Sequence, residues 1–120
     1  MTAKTPAGRR AKGHNYERMM ANWLSTNTGF KWYRGLEQTR IGGSLKVSDV
    51  MCDELPQFYF ELKKQKKCNI KAALEQTLKN CGKKAPVIIT KDDYKDTLVT
   101  MRLEDWIVLF NHHLATLPRA

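Results

Sequence analysis

The sequence predicts an α/β (α+β mixed) domain, a central mixed sheet flanked by helices. Three observations carry that expectation. There is an apolar stripe at helical spacing near the N-terminus, two short strand-like segments around a proline turn, and a β-branched run after a second, capped helical stretch. The order reads helix, three strands, helix, strand, strand, helix, and covering a sheet with helices is the natural way to bury it.

Residues 1–12 carry Lys4, Arg9, Arg10 and Lys12 with no acid, plus Pro6 and Gly8, and read as a flexible basic arm ahead of a single domain over 13–120. In residues 15–25, Tyr16, Met19, Met20, Trp23 and Leu24 recur at i, i+3, i+4, i+7 and i+8, one face of a helix that Gly29 closes. Residues 30–34 (FKWYR) have aromatic strand character. Residues 35–48 are polar, centre on Gly42-Gly43-Ser44, and read as a mobile loop. Residues 49–52 (DVMC) and 58–63 (FYFELK), turning around Pro56, form a hairpin.

Asn69 is the expected N-cap of a second helix that ends before Gly82 and buries Ile70, Ala73, Leu74, Leu78 and Cys81. Residues 86–90 (PVIIT) lack alternation, as an internal strand covered on both faces does. Residues 97–101 (TLVTM) make another strand, and 103–113 a final helix. That helix is acidic at its start (Glu104, Asp105) and ends in His112 and His113, the polarity a helix dipole favours.

Composition narrows the function classes. No apolar run nears the ~18–20 residues that cross a bilayer, and the basic N-terminus lacks the apolar segment of a secretion signal, so no membrane association is expected. Cys52, Cys68 and Cys81 form no C-x-x-C pair, which points to a reduced, intracellular protein without a cysteine zinc site. Twenty-one Lys and Arg against twelve Asp and Glu give a net charge of +9, which favours a polyanionic partner such as nucleic acid.

Within FYFELK, Phe58, Phe60 and Leu62 share one strand face, while Tyr59, Glu61 and Lys63 share the other. A carboxylate can hold a hard cation, and a neighbouring lysine can stabilise phosphate charge or orient a water. The hairpin brings Asp49 to the Glu61–Lys63 end, whereas Asp53, a rival acid, belongs at the turn. Asp49, Glu61 and the Leu62 carbonyl make a plausible Mg²⁺ set, and Glu17 flanks the apolar stripe of the first helix where it could look inward. Taken alone, an E-x-K triplet also reads as a surface ion pair, and Glu17 as an exposed helix residue. Asp93-Tyr94-Lys95 repeats the spacing, but in a polar turn. Gln76, on the second helix, is a further candidate beside the strand bearing Lys63.

Glu17, Asp49 and Glu61-Leu62-Lys63, on an αβββαβ order, resemble the PD-(D/E)XK nuclease superfamily, and within it the archaeal-type Holliday junction resolvases and their phage relatives. Gly13-x-x-x-Glu17-Arg18 is similar to the start of their first helix. Ser48-Asp49-Val50 stands where the family has Pro-Asp, with the proline missing. The Gly42-Gly43-Ser44 loop resembles the serine-containing loop that resolvases place against the junction.

The resemblance implies a restriction-endonuclease-like core, a single nuclease domain and metal-dependent phosphodiester hydrolysis. Asp49 and Glu61 would hold Mg²⁺ (Mn²⁺ as a substitute), Lys63 would position or activate the attacking water, and Glu17 would assist a second metal or that water. Lys64, Lys66 and Lys67 follow the site. With Arg9, Arg10, Lys12, Arg40, Ser44 and Lys46 they are the candidate DNA contacts.

The leading expectation is an endonuclease for branched DNA, most of all four-way junctions, serving recombination and repair in the cytoplasm of a prokaryotic or phage-infected cell. Such a substrate is two-fold symmetric, which calls for a homodimer. Trp106, Ile107 and Phe110 are candidates for its surface or, equally, for monomer core. A nicking or restriction-type nuclease on duplex or single strands, and a non-catalytic nucleic-acid-binding module, are the alternatives.

Overall fold

A computed structural model describes residues 5–36, 38–40, 43–45 and 47–119. Helix α1 runs Pro6–Thr28, well ahead of the expected start at residue 15. Thr5 caps it, its side chain accepting from the Gly8 amide at 3.0 Å, and Pro6 stands at the first position, where a missing N–H costs nothing. Arg9, Ala11 and Lys12 are good helix formers, so residues 6–12, expected as an arm, continue the helix instead. Gly29 ends it in the left-handed conformation (φ 76°) that L side chains disfavour, its amide donating to the Ser25 carbonyl.

Strands β1 (Tyr33–Arg34), β4 (Val50–Met51), β5 (Phe58–Gln65), β6 (Ala85–Asp92) and β7 (Thr97–Thr100) form one sheet in the order β1-β4-β5-β6-β7. β5 and β6 are parallel and every other pair is antiparallel. The segment expected as a loop contains a small separate hairpin, β2 (Gln38–Arg40) with β3 (Gly43–Leu45), paired Thr39 to Ser44. Glycines between strand-compatible residues are a hairpin signal as much as a loop signal.

Helix α2 (Ile70–Asn80) makes the crossover between β5 and β6, as a parallel pair requires. Asn69 caps it as expected, accepting from the Ala72 amide at 3.0 Å. Its inner face is Ala73, Thr77 and Cys81, while Leu78 lies outside; the Thr77 hydroxyl survives burial by donating to the Ala73 carbonyl.

The core joins Tyr16, Met20 and Ala21 of α1 to Trp32, Val50, Cys52, Phe60, Leu62, Val87 and Ile89. Trp32 meets Phe60 edge-on at 4.9 Å. Pro86 to Thr90 are all buried, as a strand covered on both faces must be. Met19 and Trp23, read as part of the buried stripe of α1, are more than half exposed. Helix α3 (Leu103–Leu114) follows β7 and has no buried residue. The described fold is thus the expected mixed sheet flanked by helices, a restriction-endonuclease-like core.

Candidate active site

The site forms where β4 is too short to cover β5. Val50 pairs with Phe60, so among the described residues no strand covers the Leu62 end of β5 on that side. The Asp49 side chain takes the strand's place, its Oδ2 accepting from the Leu62 amide at 2.8 Å. Its backbone is fixed as well, the Asp49 amide donating to the Phe60 carbonyl at 2.8 Å and its carbonyl accepting from Gly35 at 2.9 Å. Gly35 is required here because an added Cβ would lie 1.8 Å from the Ser48 carbonyl oxygen. In an extended residue the N–H and C=O face the same neighbour, so the Leu62 carbonyl points to the Asp49 side.

Glu61 reaches this rim from β5, and Lys63, two residues on, brings its Nζ to 3.9 Å from Glu61 Oε1. Glu17 arrives from α1, held by Arg34 of β1 at 3.6 Å. The Glu17 and Glu61 side chains are only 17% and 19% exposed, so their charged forms lose much of their water. Burial first, then the charge of Asp49, pushes Glu17 up to about 7, with Arg34 pulling the other way. The same two causes push Glu61 up to about 8, opposed by Lys63 and reinforced by Glu17. Three acids from three separate segments therefore repel one another across a single rim.

Among the described residues, no three His, Cys, Asp or Glu side chains already stand around one point as a finished cation cage. The donor set nonetheless fits a hard divalent ion. It consists of carboxylate oxygens and a strand carbonyl on the Asp49 side, and the mutual repulsion of the acids is what a cation relieves.

Beside Glu17 lies a cleft of 380 Å³, lined by Arg9, Lys12, Gly13, Tyr16, Leu62, Lys64 and Gln65. Lys64 roofs it, its Nζ 5.5 Å from the centre of the Tyr16 ring. Lys66 and Lys67 are exposed just beyond β5. Gln76 is exposed on the outside of α2, and no hydrogen bond of its side chain to the acids is formed among the described residues. Lys46 and the side chains of Arg10, Arg40 and Ser44 lie outside the described residues. Asp53 is exposed at the hairpin turn, where the Tyr33 hydroxyl donates to it, away from the other acids.

Sequence reasoning missed two residues that build the rim. Arg34 was readable only as a loop-flanking cation, although pairing FKWYR against DVMC puts it opposite Val50, next to Asp49. Gly35 carries no chemistry of its own, and its role lies in the close approach of β1 to Ser48.

An acid from the first helix, an acid at the head of a short strand and an E-x-K on the next strand, on this sheet, define a nuclease of the PD-(D/E)XK class. Over residues 8–118 the chain matches the family model described as "Phage putative PDDEXK endonuclease", and it belongs to that family. No curated protein and no solved structure matches it. The family makes DNA the substrate class and divalent-metal dependence the typical chemistry. No helix among the described residues is long and apolar enough to cross a membrane.

Proposed function

We propose that this chain is a structure-selective endonuclease that hydrolyses phosphodiester bonds in branched DNA, most of all four-way junctions, inside a phage-infected prokaryotic cell and in the service of recombination and repair. The observation that supports it is the meeting of Glu17, Asp49, Glu61 and Lys63 at one rim beside a cationic cleft. Asp49, Glu61 and the Leu62 carbonyl would hold Mg²⁺ or Mn²⁺, with Glu17 toward a second ion. When bound, such an ion supplies stabilisation for charge building on the phosphate oxygens.

The chain's own residues do the rest. Lys63 Nζ donates to the attacking water or to a non-bridging phosphate oxygen, and its ion pair with Glu61 limits where it can point. Arg34 keeps Glu17 turned to the rim. The water oxygen bonds to phosphorus and gives up a proton to solvent as the bond to the leaving sugar oxygen breaks, and that oxygen takes up a proton from solvent. Arg9, Lys12 and Lys64 grip neighbouring phosphates, and Lys66, Lys67, Arg10, Arg40, Ser44 and Lys46 extend the contact. Since a junction is two-fold symmetric, two such sites belong to one homodimer.

The test of substrate class is a labelled four-way junction against a linear duplex of the same sequence, each with Mg²⁺. The expected result is cleavage of the junction at least tenfold faster. Equal rates on both would replace this reading by a general duplex nuclease.

A further inference from the structure

We propose that helix α3 docks into the apolar groove between α1 and β7 of a second copy of this chain, and receives that copy's α3 in return. Leu103, Trp106, Ile107, Phe110 and Leu114 recur at i, i+3, i+4, i+7 and i+11, a continuous apolar stripe on one face. Each of them is 39% exposed or more, and Trp106 stacks on Phe110 at 4.6 Å within the helix. A stripe of this kind belongs against a partner.

The partner surface is on the same chain. A groove of 380 Å³ is lined by Met19, Met20, Trp23, Leu24, Ile89 and Val99, together with Thr97. Met19, Trp23 and Val99 are 52%, 59% and 63% exposed, an apolar concavity open to water. It borders β7, the edge strand of the sheet, whose uncovered backbone and exposed Leu98 invite pairing unless something covers them.

Among the described residues, helix α3 buries none of its own against the rest of the chain. Only Met101 and Arg102 separate β7 from α3, and Arg102 fixes the turn by bonding Asp105 through Nε at 2.9 Å.

Size favours a second copy as the occupant. At ~200 Å² per large apolar side chain, these exposures leave on the order of 1,000 Å² of apolar surface per chain on the stripe and groove. A stable interface needs about 800 Å² per partner. Because every chain carries both the helix and the groove, the exchange closes with two-fold symmetry. The inference names the surface of the dimer that the nuclease reading calls for, yet it is read by mass without DNA or metal, so either can fail alone.

The test is the mass of the full chain by light scattering at tens of micromolar. The native chain is expected at twice its 13.9 kDa. Phe110→Asp on the helix and Trp23→Asp in the groove are each expected to weaken association at least a hundredfold and elute as monomers, with native circular dichroism. Mixing the two variants is expected to restore a dimer at a concentration where neither associates alone, because one intact helix–groove pair survives. Three results would overturn the proposal: a monomeric native chain, a Trp23→Asp chain that stays dimeric, or a mixture that stays monomeric.

Discussion

The two edges of the sheet are solved in opposite ways. At the β1–β4 edge, short strands and a glycine contact bring three acids together in a well-bonded rim whose cost is electrostatic. At the β7 edge the cost is hydrophobic, with an apolar helix face and a groove left in water. On the proposed reading, the first arrangement serves a cation and a phosphate, and the second serves another copy of the chain. In both, local stability is given up where a partner restores it.

The sharpest way to break the first edge without touching its chemistry is Gly35→Ala. Its Cβ would meet the Ser48 carbonyl at 1.8 Å, so β1 and Asp49 must separate. We expect a loss of ~1–3 kcal/mol in denaturant midpoints and cleavage reduced at least tenfold. Gly13→Ala, which meets nothing within 4 Å on the same face as Glu17, is expected to hold or raise stability by up to ~1 kcal/mol.

Removing Arg9, Lys12 and Lys64 together as alanines tests the cleft. The slope of log K against log salt should fall by roughly 0.9 per lost phosphate contact, equally for junction and duplex, because these contacts carry no shape information. An unchanged slope would move the DNA path elsewhere.

The pH dependence follows from the raised acids. Glu17 and Glu61 must lose protons to act as ligands, so cleavage should rise as pH increases from 6 through about 7 and about 8. Stability without metal runs the other way. A folded pKa above the unfolded value stabilises below the unfolded pKa, near 4.5, and that contribution is lost as pH rises through about 8. Glu61→Gln removes the penalty, so in thermal melts its advantage over the native chain should grow from pH 5 to pH 9.

Much of this was legible in the residues. The FYFELK alternation, the Asn69 cap and the unbroken PVIIT run each carry a local physical signal, and each element formed where that signal placed it. Asp49 was legible from the hairpin, which carries it to the Glu61–Lys63 end, whereas Glu17 drew its weight from the resemblance, since no local pattern tells a helix-flank glutamate that faces a strand from one that faces water. Helix α1 starts ahead of the expectation because the Thr5-Pro6 start signal outweighs the positive charge and Gly8 of this stretch. The fate of Met19, Trp23 and α3 was beyond reach, because a stripe at helical spacing records that a face wants burial without saying whether its own chain or another covers it.

The central claim is that one rim, built by Glu17, Asp49, Glu61 and Lys63, cuts DNA. The most direct measurement is Mg²⁺-dependent cleavage of a labelled four-way junction by the native chain, Glu61→Gln and Lys63→Ala, with binding followed on the same substrate. All three are expected to bind and only the native chain to cut, with at least a thousandfold loss in the variants. Cleavage that persists in either variant, or a native chain that binds and never cuts, would contradict it.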